Sequence, residues 1–270
     1  MKSISDLLPN TERKELTLEE KKARSEKRVN SYNNMQGNLD EFDCPLCKNK
    51  GRIQKSIYNE MYNDYIEVMT DCECMKRRKV IQRARRSGLG IYLDKTFGDY
   101  IATDDWQKQI KAKAIEYCKE DNNNWFIALG QSGSGKTLIS CIIANYLLKQ
   151  KGKEVTYITW TDFISKLKRD IMSDNNDEVS KYMNKVKNVE VLYIDELLKK
   201  YSEADLKYII EIINYRYTNN LKTIITSERT IDNLIDIDEA TFSRMIEKSG
   251  KYIISINTDR RKNYRLRNVL

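Results

Sequence analysis

One short segment has the residue types and the spacing needed to hold a nucleotide phosphate. Residues 130–137 read GQSGSGKT and fit the pattern G-x-x-x-x-G-K-[ST] in full. They lie between the apolar run WFIAL and the segment TLISCIIANYLL, which predict a strand and a helix. Backbone N–H groups of such a loop, with the positive end of the following helix, surround a phosphate. The alternative is an ordinary glycine-rich turn from strand to helix.

Every residue of this phosphate loop is a candidate nucleotide contact. Lys136 is predicted to reach the β- and γ-phosphates of ATP, and the Thr137 hydroxyl to ligate Mg²⁺. The candidate contacts are Gly130, Gln131, Ser132, Gly133, Ser134, Gly135, Lys136 and Thr137.

A second apolar run, VEVLYIDE at 189–196, ends in two acids. Asp195 lies 59 residues after Lys136 and is predicted to hold Mg²⁺ through water. Glu196 is predicted to polarise the attacking water as the catalytic base. Two adjacent acids also occur as helix caps. Combined with the phosphate loop, the pair predicts hydrolysis of ATP.

Four cysteines form two close pairs with the spacing C-x2-C-x24-C-x-C. They are Cys44, Cys47, Cys72 and Cys74. Four thiolates predict a closed, structural zinc site, and the alternatives are a redox pair or unrelated thiols. Such a site carries a formal charge of −2. The residues expected to offset this charge are Lys48, Lys50, Lys76 and Arg77. Cys118 and Cys141 lie on apolar helix faces and are expected in the core.

The composition excludes several classes of enzyme. The chain has 270 residues and no histidine, which rules out Ser-His-Asp and Cys-His catalysis, His-ligated zinc hydrolases and haem on a proximal histidine. Its net charge of +8 favours a polyanionic partner, although ordinary solvation also accounts for it. A hydrophobic content of 40% is enough for a buried core.

The sequence predicts a cytoplasmic protein with no membrane partner. The longest nearly apolar run, 138–148, is shorter than the roughly 20 residues needed to span a bilayer. The N-terminal residues have no apolar core like that of a signal peptide. Close cysteine pairs in a chain of this length indicate a reducing compartment.

Beyond residue 91, short apolar runs alternate with helical patterns, which predicts an α/β domain. Five nearly all-apolar strands predict a parallel sheet covered on both faces. The predicted strands are 125–129, 155–159, 189–194, 223–226 and 252–256. The predicted helices are 104–120, 136–150, 161–171, 203–219 and 239–248, with a loop at 173–177.

The composition changes along the chain predict three parts. Residues 1–42 form a helical arm with a helix around 12–30, and 43–90 form a small zinc-binding domain with a basic linker helix. Residues 91–270 form the ATPase domain. The basic run 76–86 is predicted either to neutralise DNA phosphates or to be a solvated helix.

Taken together, these residues resemble the helicase-loader branch of the AAA+ ATPases, the DnaC/DnaI type, and the closely similar IstB transposition-helper ATPases. The cysteine cluster before a basic helix resembles loaders of Gram-positive bacteria and their phages. The resemblance covers about residues 43–270. The segments that carry it are GLGIYLDKTFGDY at 88–100, the loop 130–137, YIDEL at 193–197, TIITSER at 223–229 and FSRMIEKSG at 242–250.

The resemblance implies an AAA+ P-loop NTPase core and adds roles for individual residues. Thr226 and Ser227 would read the γ-phosphate, with Glu228 where many members have asparagine. Arg244 looks like an arginine finger that reaches a neighbouring subunit, and the alternative is a surface arginine. After Asn257 only 13 residues remain, too few for a helical lid.

DNA contacts are the least specific prediction. Trp160 and Phe163, with two nearby lysines, are interpreted either as a platform for single-stranded bases or as core. The lysines are Lys166 and Lys168. Three C-terminal arginines are expected to be solvated or to touch DNA. They are Arg260, Arg261 and Arg265.

The resemblance implies an ATP-dependent loader of the replicative DNA helicase onto single-stranded DNA, which forms a homo-oligomer on the helicase or on DNA. Residues 1–90 would bind the helicase, and 91–270 would bind ATP and single-stranded DNA. The first alternative is an IstB-like transposition helper that binds DNA and recruits a transposase. The second is a zinc-dependent binding module with a degenerate ATPase.

Overall fold

The chain folds into two compact units in the computed structural model, which describes residues 15–266. One unit runs up to Lys79, and the other begins at Val80. The sequence had placed boundaries after residues 42 and 90. The division differs because the N-terminal helix packs within the first unit, and because Leu89 is buried in the core of the second. The first fourteen residues of the predicted arm lie outside the described range.

The first unit is built on a two-stranded hairpin. Helix α1 (Leu18–Asn34) begins at a Thr17–Glu20 capping box and packs on β1 (Arg52–Asn59) and β2 (Asp64–Asp71). Ser56 donates a hydrogen bond of 2.8 Å to Ser25 Oγ across this contact. Helix α2 (Cys74–Ser87) follows the hairpin and leads into the second unit.

The second unit contains a parallel sheet of five strands in the order β4-β5-β6-β3-β7, as predicted. Its strands are β3 (Phe126–Gly130), β4 (Val155–Thr159), β5 (Val191–Asp195), β6 (Lys222–Ser227) and β7 (Ile253–Ile256). Its longer helices are α3 (Asp105–Lys119), α4 (Lys136–Lys149), α5 (Trp160–Met172), α6 (Asn176–Asn188), α7 (Glu203–Thr218) and α9 (Glu239–Ser249). A short helix α8 (Ile231–Ile235) lies between β6 and α9. Apolar clusters cover both faces of the sheet.

Two helices were missing from the sequence prediction, α6 and α8. The predicted loop 173–177 overlaps the start of α6. Val179, Met183 and Val186 recur at helical spacing, and the last two are buried. The polar residues between them obscured this pattern. Within 257–266 the described chain forms two 3-10 turns.

One buried arginine links the end of α6 to the sheet by hydrogen bonds. Arg216 on α7 is fully buried, and it donates hydrogen bonds to the carbonyls of Val186, Lys187 and Val189. It also donates to the Lys222 carbonyl at 2.6 Å. Burial lowers the pKa of Arg216 to about 9. Its five-donor fork satisfies carbonyls that the helix end leaves without partners.

Among residues 15–266, no helix combines the length and the apolar composition that crossing a membrane requires.

Candidate active site and metal centre

The phosphate loop, Asp195 and Thr226 meet at one edge of the sheet, because β3, β5 and β6 are parallel and end side by side. A cavity of about 310 Å³ opens there. Loop residues 132–137 line it together with four residues from the ends of β5 and β6, namely Glu196, Thr226, Ser227 and Glu228. The structure thus brings together the groups that the sequence assigned to nucleotide chemistry.

The loop itself requires glycine where it leaves β3. Gly130 has a φ of +120°, and a Cβ there would lie 2.2 Å from the Ile256 carbonyl oxygen. Beyond it, the Lys136 ammonium donates 2.7 Å hydrogen bonds to the carbonyls of Gly130 and Gln131. Burial lowers the pKa of Lys136, against the opposing effect of Glu228 and Asp195. The partners of the ammonium are neutral carbonyls, and a phosphate bound in this loop would give Lys136 an anionic partner.

Asp195 is buried and receives hydrogen bonds from four hydroxyl groups. Thr137 and Tyr193 donate to Oδ1 at 3.1 and 3.0 Å, and Thr226 donates to the same oxygen. Tyr157 donates to Oδ2 at 3.1 Å. Within residues 15–266 no cationic side chain forms an ion pair with Asp195. A carboxylate beside a threonine hydroxyl is a ligand set that suits Mg²⁺.

The two tyrosines of this cluster were not identified from the sequence. Burial raises the pKa of Tyr193 and of Tyr157, and the charge of Asp195 adds to the rise, so both remain proton donors. Tyr193 lies two residues before Asp195 and therefore on the same face of β5. Tyr157 is the register partner of Tyr193 on β4. The spacing of Tyr193 was visible in the sequence, whereas the register of Tyr157 was not.

Glu196 lines the cavity from a left-handed backbone conformation, with φ of +56°. Its N–H donates to Thr226 Oγ1 at 3.0 Å. Lys199 lies 2.6 Å from Glu196 Oε1 and 3.5 Å from Glu228 Oε1. The hydrogen bond to Glu196 raises the pKa of Lys199. Lys199 thus pairs with both carboxylates.

The residues expected to read the γ-phosphate form hydrogen bonds to the end of β5 and to the turn that follows it. Thr226 binds Asp195, and Ser227 Oγ donates to the Leu197 carbonyl at 2.7 Å. Arg244 on α9 is exposed and does not line the cavity of its own chain. Its guanidinium donates to Asn214 Oδ1 at 2.8 Å.

The proposed base-stacking platform is wrong. Trp160 and Phe163 are both fully buried, and the Trp160 indole donates to the Lys200 carbonyl. Their rings pack in the apolar cluster on one face of the sheet. The two accompanying lysines, Lys166 and Lys168, pair with Asp170 and Asp205. Cys118 and Cys141 are buried in the core, as predicted.

The three C-terminal arginines are exposed, which fits the expectation that they are solvated. Arg261 pairs with Asp259 at 2.9 Å. Arg265 also lines the cavity, a position that the sequence did not predict. It reaches the cavity because the chain after β7 turns back toward the phosphate loop.

The four cysteines of the first unit converge. Their sulfur atoms all lie within 4.8 Å of one another. Cys44 and Cys72 are 3.8 Å apart, and Cys47 and Cys74 are 3.6 Å apart. In a tetrahedron with zinc–sulfur bonds of about 2.3 Å, neighbouring sulfurs are about 3.8 Å apart. The described geometry therefore fits a Zn²⁺ ion held by four thiolates.

The electrostatics of the cluster also favour a cation. Burial opposes ionisation of Cys47, but hydrogen bonds from the Gly51 N–H and the other cysteines outweigh it and lower its pKa to about 7. Burial and the neighbouring sulfurs raise the pKa of Cys72 to about 12. The cluster thus favours one thiolate, and further ionisation needs a positive charge at its centre.

A cation that contacts the cluster, Arg78, was not among the residues expected to offset its charge. Arg78 on α2 is fully buried and pairs with Glu41 at 2.5 Å. Burial disfavours its charge, but Cys74 and Glu41 outweigh burial and raise the pKa of Arg78. Lys48 and Lys50, which were expected to offset the thiolates, instead donate to groups at the end of α1. Because Arg78 belongs to the basic run 76–86, its sequence context did not indicate that it is buried.

Comparisons with known proteins agree with this arrangement. The family described as IstB-like ATP binding protein matches residues 50–266. The uncharacterized protein YqaM of Bacillus subtilis strain 168 is 30% identical, across 84% of this chain and 86% of its own. The replicative helicase loader DnaC of Buchnera aphidicola subsp. Baizongia pistaciae is 28% identical across 60% of this chain and 71% of its own. A crystal structure of the DnaC helicase loader has the same fold, with a TM-score of 0.53 and 20% identity over 63% of this chain and 99% of that one.

The cysteine geometry predicts about one zinc ion per chain in freshly purified, reduced protein. Cys44→Ser and Cys72→Ser are each expected to lose the ion, measured by elemental analysis. Cys118→Ala, which removes a thiol outside the cluster, is expected to retain it. Because bound metal contributes folding energy, chelation should unfold the first unit and leave the second folded. Protein that carries no zinc would contradict this prediction.

Proposed function

The chain belongs to the family of IstB-like ATP binding proteins, and on that basis we propose that it is a Mg²⁺-dependent ATPase that loads the replicative DNA helicase onto single-stranded DNA. The observation that carries the proposal is that phosphate-loop residues 132–137 and Glu196 line one cavity, while Thr137 of the loop donates a hydrogen bond to the buried Asp195. The similarity to the replicative helicase loader DnaC supports the replicative helicase as the protein that is loaded.

Different residues of the site have different roles in hydrolysis. The loop N–H groups and Lys136 bind the β- and γ-phosphates, and Thr137 and Asp195 hold Mg²⁺. When bound, Mg²⁺ neutralises charge that develops on the phosphate oxygens. Glu196 lines the cavity and orients the attacking water through its carboxylate. Thr226 fixes Asp195 and the Glu196 backbone, so it positions both acids. Ser227 lines the cavity beside it.

We assign helicase binding to the first unit and contact with single-stranded DNA to α2. The hairpin tip presents Met61 and Tyr62, which are 84% and 68% exposed and suit a partner's apolar surface. Most cations of the basic run are exposed and available to DNA phosphates, whereas Arg78 is buried. The exposed ones are Lys76, Arg77, Lys79, Arg85 and Arg86.

The alternative is an IstB-like transposition helper that binds DNA and recruits a transposase. The family description favours it, because the match covers the whole second unit up to residue 266. The cysteine-bearing first unit favours the loader, since it adds a separate surface for a protein partner. A degenerate ATPase that serves only as a binding module is disfavoured by intact Lys136, Thr137, Asp195 and Glu196.

Two substitutions separate nucleotide binding from hydrolysis. Lys136→Ala removes the ammonium that contacts ground-state phosphates and is expected to abolish ATP binding in a calorimetric titration. Glu196→Gln is expected to keep ATP bound but to reduce phosphate release at least a hundredfold, because the amide cannot act as a base. Hydrolysis at the parental rate by Glu196→Gln would show that another group activates the water.

The loader function predicts that the full chain captures the replicative helicase of the source cell. With ATP, the chain should also increase helicase-dependent unwinding of a fork covered by single-strand binding protein. Met61→Glu at the hairpin tip should weaken capture at least tenfold and leave ATP affinity unchanged.

Met172→Glu is the matched control for that experiment, because Met172 is 87% exposed on the second unit. It is expected to capture the helicase normally. Capture of a transposase without helicase would favour the transposition helper, and capture of neither would overturn the loader assignment.

We further propose that Arg244 acts as an arginine finger in the nucleotide site of a neighbouring chain within an oligomer formed on helicase or DNA. Arg244→Ala should keep ATP affinity and lower turnover in the assembly, in the direction of the about 10³–10⁵-fold effects of arginine fingers. Mixing it with Glu196→Gln should restore part of the turnover, since some interfaces then pair an intact base with an intact finger. Mixed assemblies without any rescue would make Arg244 a surface arginine.

A further inference from the structure

The turn that follows β5 has an unfavourable backbone conformation at two positions. We call residues 196–199 the Glu196 turn. Glu196 has a φ of +56° and Leu198 a φ of +55°, both in the left-handed region that favours glycine. Leu198 is fully buried, as is Leu197 beside it. A bulky residue keeps such a conformation only where neighbouring groups hold it, so the contacts of this turn identify what fixes Glu196.

The end of β6 contacts the first half of the Glu196 turn. The Glu196 N–H donates to Thr226 Oγ1 at 3.0 Å, and the Leu197 N–H donates to the Thr226 carbonyl at 2.8 Å. Ser227 Oγ donates to the Leu197 carbonyl at 2.7 Å. Thr226 and Ser227 line the cavity together with Glu196, so this half of the turn is held from within the nucleotide site.

Arg229 contacts the second half of the turn. Its Nε donates to the Leu198 carbonyl at 3.0 Å, and its backbone N–H donates to Ser227 Oγ at 3.2 Å. The guanidinium lies 4.9 Å from the centre of the Tyr201 ring, which restricts its position. Among residues 15–266, no carboxylate forms an ion pair with Arg229. The charged donor is thus directed at the carbonyl of a residue in the left-handed conformation.

Arg229 reaches the site only through this turn. It is half-buried and does not line the cavity, whereas Glu196 does. Leu198 lies two residues after Glu196. Release of its carbonyl would let the turn leave the left-handed conformation and would displace the Glu196 carboxylate. The phosphate loop, which Arg229 does not contact, would keep its place.

We propose that Arg229 is a positioning residue for Glu196, whose carboxylate it holds toward the cavity through the Leu198 carbonyl. The inference rests on the proposed role of Glu196 as the catalytic base. A carboxylate that activates water must lie within hydrogen-bond distance of it, and a displacement of about 1 Å can cost about a hundredfold in rate.

Single-turnover hydrolysis and calorimetric titration of the full chain test the proposal. Arg229→Ala should slow hydrolysis about ten- to a hundredfold, because the base is displaced. Its affinity for ATP with Mg²⁺ should stay within about twofold of the parent, because no group that contacts the phosphates changes. Arg229→Lys keeps a cation for the Tyr201 ring and should restore part of the rate. Arg169→Ala is the control and should change neither quantity, since Arg169 is an exposed arginine of α5 that does not line the cavity.

The same comparison in the Glu196→Gln background shows whether Arg229 acts through Glu196. With the base removed, adding Arg229→Ala should change the residual rate by less than about twofold, because effects within one functional unit are not additive. A further loss as large as that in the parent would overturn the proposal. If Arg229→Ala does not fold, Arg229→Gln replaces it in both backgrounds, because its shorter side chain cannot keep both the carbonyl contact and the ring contact.

The remaining outcomes separate this inference from the proposed function. If Glu196→Gln stops hydrolysis and Arg229→Ala does not slow it, the assignment of the base stands and the positioning role is wrong. A parallel fall in ATP affinity and rate would give Arg229 a purely structural role, which also overturns the proposal. A parent chain that hydrolyses no ATP overturns the ATPase assignment and this inference together.

Discussion

The buried carboxylate of Asp195 is the constraint on which the second unit depends. An ionised carboxylate without partners is costly to bury, so its oxygens must be satisfied by donors from neighbouring elements. The donors come from four elements, with Tyr157 on β4, Tyr193 on β5, Thr226 on β6 and Thr137 on α4. Each hydroxyl reaches Asp195 only if its element is correctly placed. One carboxylate therefore fixes three strands and the start of the phosphate-loop helix relative to one another.

The same edge of the sheet shows how charge is balanced around the cavity. Glu228 directly follows the end of β6. In the structure it shares Lys199 with Glu196, so one lysine compensates two carboxylates. The phosphate loop contributes Lys136 from the other side, and the chain after β7 contributes Lys262 and Arg265. Cations from three separate parts of the chain thus face a lining that contains three acids.

In the first unit, the main constraint is the stability of a small domain. A short hairpin and one helix bury little apolar surface, and domains of this size commonly rely on metals or disulfides. Its cysteines are free thiols within reach of one another, and the buried pair Arg78–Glu41 lies beside them. Arg78 also donates to the Phe42 carbonyl and to Asn49, which accepts from the Cys44 N–H. The loop that carries the first cysteine pair is therefore held by α2.

The sequence by itself determined the features that depend on local pattern. The loop 130–137 predicted a phosphate site, the apolar strands predicted a covered parallel sheet, and the spacing of the cysteines predicted a common site. Each of these features rests on residue types and spacing that can be read along the chain. The missed helix α6 belongs to the same class, because its apolar spacing was present but weak.

Only the tertiary structure decided which side chains face inward and which distant segments meet. Trp160 is an aromatic residue that suits either a DNA platform or a core, and its burial settles the question. Arg78 is one of seven basic residues between 75 and 90, and only packing against Glu41 distinguishes it. Arg265 lies 129 residues after Lys136, yet both line one cavity because the chain after β7 turns back onto the phosphate loop. Contacts of this kind depend on strand order and chain path, and neither leaves a local pattern in the sequence.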